Sequence, residues 1–261
     1  MFVLIFYLVT LVGNAVIILV SRLDPSLHTP MYFFLTNLSF LDLCFTTSSI
    51  PQLLFNLGSP DKTVSYVGCA LQLFMFLGLG GTECVLLAVM AYDHYVAICN
   101  PLLYTVSMSR RLCTQLISVV YVEGLVDSAI HTCCTFCLSF CSSDAINHFF
   151  CDFRALLALS SSDTPINGIM LFISSSCVMG TSIITVLLSY SYIIATILRM
   201  NSAEGRCKAF SMCASHLTAV AIFHGLPLFM YFRPSSSYSM DTDKIICLLH
   251  SCHPHVKPTE L

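Results

Sequence analysis

Few residues in this chain carry reactive chemistry, and nearly all of them follow or interrupt apolar runs. Residues 90–104, MAYDHYVAICNPLLY, place an acid, a histidine and two tyrosines directly after such a run, with Pro101 close behind. This order marks a membrane helix surfacing into water: apolar residues give way to charge, and a proline stops the helix. The imidazole of His94, with an ordinary pKa of about 6.5, is mostly neutral at pH 7. Asp42, Glu83, Glu123 and Asp127 sit inside apolar stretches. An ionised group there is expensive unless it faces the interior of a bundle and finds a partner. Glu123 and Asp127 are one helical turn apart, so they either share a proton or weaken insertion of their helix.

Two patterns have metal-like spacing. Cys134-x-x-Cys137, with Cys133 and Cys141, has half the spacing of a zinc site, but it straddles the end of an apolar run and has no second pair. Packing as small hydrophobes explains these cysteines better. His148-x-x-Cys151-Asp152 could touch a metal ion. The chain has neither a phosphate-cradling glycine loop nor a nucleophile–base constellation, so no enzymatic activity is expected. Asn37-Leu38-Ser39 fits the glycosylation pattern but falls within an apolar run, where no sugar is expected.

The elements that must hold these residues are membrane helices. The chain is 56% hydrophobic and 10% charged, with a mean hydropathy of +0.83, against roughly 25% charged residues in a soluble domain. A net charge of −3 gives no reason to expect a nucleic-acid partner. Crossing a bilayer takes about 20 apolar residues. Six segments reach that length: roughly 1–20, 30–57, 69–98, 113–135, 166–199 and 208–232. Lipid cannot satisfy open backbone groups, so these runs are read as helices. Pro51 and Pro227 are expected to kink the second and sixth. The apolar start, without a basic region or a cleavage site, reads as a span and not as a signal peptide.

Basic residues favour an N-terminus outside the cell. That orientation places Arg22, Arg110, Arg111, Arg199, Arg206 and Lys208 in inner loops. Lys62, Arg154, Arg233 and Lys244 then lie outside, offset by six aspartates. After Lys244 only residues 245–249 are apolar, followed by HSCHPHVKPTEL. The expectation is a bundle over 1–246 with an aberrant tail over 247–261.

Several long motifs, in order, resemble the olfactory receptors, which are rhodopsin-like G protein-coupled receptors. They are Gly13-Asn14, LHTPMYFFLTNLSFLDLC at 27–44, Glu83-Cys84, the 90–104 run, HFFCD at 148–152, Ser189-Tyr190 and KAFSMCASHL at 208–217. The resemblance covers nearly everything from Leu11 to about Ile246. It implies an all-α membrane protein: a rhodopsin-like bundle with six complete transmembrane helices and the seventh truncated or lost.

The resemblance also implies roles. Cys69 and Cys151 would form the disulfide that pins the long outer loop, a cross-link worth about 2–4 kcal/mol. A second bond in that loop is not expected, because Ser161 stands where the partner of Cys141 belongs. Asn14, Asp42 and Glu83 would meet in a site that can hold a sodium ion; the alternative is that one or both acids stay protonated and hydrogen-bond. No other cofactor is implied. The ligand pocket would draw on Phe76, Leu77, Gly80, Gly81, Ser174, Ser175, Val178, His224, Leu228 and Tyr231, a small apolar cavity with a few hydroxyls and one imidazole. His224 replaces a tyrosine usual in the family. Plain helix packing is at least as good an account of any single one of these residues.

Asp93, His94 and Tyr95 occupy the G protein coupling motif, in which the family has arginine where this chain has His94. Histidine is shorter and lacks the permanent charge and planar fork of arginine, so coupling is expected to be weak or lost. The implied function is an odorant receptor that binds small volatile ligands in the bundle and signals through a Gs-type heterotrimeric G protein. Its expected place is the plasma membrane, as a multi-pass protein, or the endoplasmic reticulum if it is retained there. A non-signalling remnant of such a receptor is the competing reading. A six-span transporter is a distant third, as the chain has no internal repeat.

Overall fold

A computed structural model describes residues 2–58, 65–137, 165–200 and 202–232. Within these residues the chain is helical: α1 (Phe2–Leu23), α2 (Pro30–Gly58), α3 (Tyr66–Cys99), α4 (Pro101–Ser107), α5 (Arg110–Phe136), α6 (Pro165–Arg199) and α7 (Ala203–Phe232). All but the seven-residue α4 are long and apolar enough to cross a membrane. The six spans read from the sequence are therefore present, each somewhat longer than its apolar run. Residues 233–261, where the truncated seventh helix is expected, lie outside the described residues.

The helix ends follow local chemistry. Prolines open α2, α4 and α6, where the missing N–H costs nothing and the fixed φ suits a first turn. Pro101 thus does more than end α3, which closes at Cys99: it starts the short helix α4. Ser65 caps α3 by accepting from Gly68 N at 3.1 Å, and Ser109 caps α5 by accepting from Leu112 N at 3.4 Å. Asp24 caps a 3-10 turn after α1, and hydrogen bonds from the Ser26 hydroxyl and amide hold its carboxyl below the usual carboxylate range. Pro51 and Pro227 both lie within continuous helices.

α3 is the axis of the bundle and packs against α2, α5, α6 and α7. Its buried face carries Leu73, Leu86, Leu87, Met90, Ala91 and Val96. α1 touches mainly α2, and it presents Leu4, Ile5, Phe6, Leu8, Val9 and Val12 outward. In lipid such exposure costs little, because acyl chains are as apolar as these side chains.

α3 and α5 approach each other closely at small residues. Gly78 and Thr82 on α3 face Gly124 and Ser128 on α5, each pair four residues apart. Ser128 Oγ donates to Phe74 O at 2.5 Å, and Thr82 Oγ1 to Gly78 O at 2.6 Å. A Cβ at Gly124 would collide with the Thr82 hydroxyl and sit 2.8 Å from Gly78 O. Small residues at this spacing let two membrane helices touch along their backbones.

Candidate functional site

Two groups of side chains lie along α3, separated by ten residues, or about 15 Å of helix. The first is in the middle of the bundle. His224 of α7 points its Nε2 at Ser182 Oγ of α6 at 3.0 Å and at Cys84 Sγ of α3 at 3.5 Å. His224 Nδ1 lies 3.1 Å from Val220 O. A carbonyl only accepts, so Nδ1 carries the proton and Nε2 of the neutral ring is an acceptor. The Cys84 thiol and the Ser182 hydroxyl are the donors available to it. Ser182 Oγ also reaches Cys84 O at 2.8 Å, so one hydroxyl proton has two acceptors. All three residues are buried. Three helices thus meet at one polar point in an apolar interior.

The second group is at the end of α3. Asp93 is buried and accepts from Tyr104 Oη of α4 at 3.0 Å. Burial and the neighbouring Asp93 carboxylate push the Tyr104 phenol well above its ordinary pKa, which keeps it a hydrogen-bond donor. His94 turns away from this pair. Its Nδ1 donates back to Met90 O at 2.7 Å, and its ring stacks on His216 of α7 with centroids 5.0 Å apart. His216 in turn lies 2.9 Å from Tyr190 Oη of α6 through Nδ1. Tyr95 packs on Tyr192 of α6 at 5.7 Å. The Asp-His-Tyr run therefore sends its three side chains to three places: α4, α7 and α6.

The remaining predicted residues are spread around the bundle. Phe76 meets Phe45 of α2 at 5.3 Å, and Gly80 faces the same ring. Leu77, Gly81, Ser175 and Leu228 are half-buried; Tyr231 lies in α7, with its side chain outside the described part. Val178 lines a cleft between α3, α5 and α6. Ser174 donates to Asp127 Oδ1 of α5 at 2.6 Å, and His131 Nε2 lies 3.4 Å from the same oxygen. Asp127 accordingly looks across to α6 and along its own helix, a third arrangement beside the shared proton and the weakened helix considered for it with Glu123. Asn14, Asp42 and Glu83 are all buried, on α1, α2 and α3, and Asn14 Nδ2 donates to Thr10 O at 3.1 Å. Cys69 is disulfide-bonded; Cys151, its expected partner, lies outside the described residues, as does Cys141.

Sequence reasoning missed Cys84, Ser182, Tyr104, Tyr190 and His216 as members of these groups. His216 and Tyr190 stand within motifs quoted above, but their partners are distant in the chain. Among the described residues no cluster of three or more His, Cys, Asp or Glu could hold a metal ion.

The comparisons agree with this architecture. Residues 2–249 match the family model described as olfactory receptor. Mouse (Mus musculus) olfactory receptor 5AP2 is 54% identical over 248 residues, covering 95% of this chain and 78% of that protein. Human (Homo sapiens) olfactory receptor 2G3 is 50% identical over 250 residues, covering 96% and 81%. The crystal structure of squid rhodopsin superimposes with a TM-score of 0.62 at 17% identity, covering 96% of this chain and 76% of that one. That likeness shows a rhodopsin-like fold. The chain belongs to the olfactory receptor family of G protein-coupled receptors, which are signalling membrane proteins and not enzymes.

Proposed function

We propose that the chain is an odorant receptor that binds a small, mostly apolar molecule between α3, α6 and α7 and works by shifting the bundle between two packings. The observation that carries this reading is the meeting of Cys84, Ser182 and His224, one residue from each of those helices, at a single buried polar point. A ligand that competes for the shared Ser182 proton would change which helices are tied together. The N-terminus outside, the plasma membrane and a Gs-type partner follow the family and the basic residues at the ends of α1, α5 and α6. Asn14, Asp42 and Glu83 supply oxygen donors on three helices. Thr10 Oγ1, one turn from Asn14, is buried with no hydrogen-bond partner among the described residues. That chemistry fits a sodium ion held by these groups.

Coupling is weak in this reading because His94 is committed to Met90 O and His216, both within the bundle. Expression with a surface tag, challenge with an odorant panel and a cyclic AMP readout test the function. A receptor that reaches the surface and responds to nothing in any coupling background would overturn it. His94→Arg is expected to raise the odorant response severalfold at equal surface level; equal responses from both forms would sink the coupling argument.

A further inference from the structure

The Cys84 thiol meets a base. Its Sγ lies 3.5 Å from His224 Nε2, a ring nitrogen able to take a proton. Cys99 instead faces the Thr196 hydroxyl at 3.2 Å and Cys113 the Met108 carbonyl at 3.7 Å, neither of which is a base. Two hydrogen bonds set the direction of the Cys84–His224 pair. His224 Nδ1 gives its proton to Val220 O at 3.1 Å, which leaves the lone pair on Nε2. The Ser182 hydroxyl lies nearer Cys84 O, at 2.8 Å, than Nε2, at 3.0 Å. With the hydroxyl proton on that carbonyl, the thiol is the donor to Nε2. A thiol paired with an imidazole lone pair is an activated nucleophile. All three side chains are buried, and a separated thiolate–imidazolium pair is costly in such a place. The reaction this pair suits is one that ends neutral.

Room for a small molecule lies close by. One turn from Cys84 toward the start of α3, an added Cβ at Gly81 meets nothing within 4 Å, and the same holds at Gly225 beside His224. Given the ligand site between α3, α6 and α7, on which this rests, we propose that Cys84 captures electrophilic odorants covalently. The ligands are small α,β-unsaturated aldehydes and ketones, which add a thiol across their carbon–carbon double bond. The Cys84 sulfur bonds to the β-carbon while its proton passes to His224 Nε2. The π electrons of the double bond move to the carbonyl and give an enolate. Nε2 then returns the proton to the α-carbon. Reactants and product are both neutral, and no oxidant or reductant is needed. The thioether has no S–H, so the tie from Cys84 to His224 is gone. α3 is released from α7 at this point for as long as the adduct lasts.

The test treats the full chain in phosphatidylcholine nanodiscs with trans-2-hexenal, locks the adduct by borohydride reduction and maps labelled cysteines by peptide mass spectrometry. Cys84 is expected to react about tenfold faster than Cys133, Cys137, Cys177 and Cys207, which are exposed on the bundle and have no such base and site assigned to them. His224→Tyr keeps a large polar ring but removes the base. It should slow Cys84 about a hundredfold, the lower range of what a positioned general base supplies. In His224→Ala, which opens space for a free ring, added imidazole should raise the Cys84 rate about tenfold and leave the exposed cysteines unchanged. Each variant is compared at equal folded amount by size-exclusion profile. Hexanal is saturated and cannot add to a thiol, so by filling the same space it should slow the labelling. Shielding by hexanal with equal Cys84 rates in the unmutated chain and His224→Tyr would leave the proposed ligand site standing and overturn the covalent step. Labelling of Cys84 no faster than of the exposed cysteines, or a His224→Ala rate that imidazole does not raise, overturns it as well.

Discussion

The middle of α3 and its end are joined to their neighbours by opposite means. Against α5, Gly78, Thr82, Gly124 and Ser128 bring two backbones together, and the contact depends on the absence of side chains. At the end of α3 the contact is all side chain: the His94 ring lies on His216, which reaches Tyr190, while Asp93 holds Tyr104. Helices in lipid gain little from burying apolar surface against one another, so shape and hydrogen bonds decide how they associate. A backbone seam has one arrangement and tolerates nothing larger. A stack of rings on three helices can be parted and re-formed by rotamer changes. The seam therefore reads as scaffold and the ring stack as the place where helices can move.

The largest effect should come from breaking the seam. Gly124→Leu is expected to lower stability by about 3 kcal/mol or more, as overpacking with no room to relax does, and to abolish surface expression. Gly180→Ala is the matched control, since an added Cβ there meets nothing within 4 Å; a thermal unfolding assay should show it unchanged or slightly stabilised. If both variants behave alike, the contrast between seam and open helix face is wrong.

Tyr104→Phe comes next. It takes from buried Asp93 the hydrogen bond seen at 3.0 Å, a loss of about 1–3 kcal/mol for a buried acceptor. Its readout is thermal unfolding together with basal cyclic AMP, because α4 would be released from the end of α3. Smallest is the α5–α6 tie. Ser174→Ala should cost about 1 kcal/mol, and Ser174→Ala with Asp127→Ala should cost less than the sum of the two singly, since both remove one bond. Strict additivity in that cycle would mean the bond contributes nothing.

Much of the fold was legible because membrane helices are written in runs of apolar residues. The six spans follow from length, and their true ends lie at prolines and at the serine caps Ser65 and Ser109. The small-residue seam has a signal in the sequence, Gly-x-x-x-Thr in α3 and Gly-x-x-x-Ser in α5, but spacing alone does not say which helix face meets which neighbour. The site was less legible. His94 stands out for what it replaces, yet its partner His216 is more than one hundred residues away, and no spacing links the two. Asp127 shares a helix face with Glu123, but its hydroxyl partner sits on α6.

By itself the sequence determined that this chain crosses a membrane as helices, where those helices lie, and which family it belongs to. Backbone groups in lipid have no other partners, and the motifs are long and ordered. Only the tertiary structure decided which helices touch at their backbones and where each buried polar side chain turns. Those choices depend on the rotation of each helix about its own axis. Local sequence leaves that rotation open, and packing against several neighbours at once settles it.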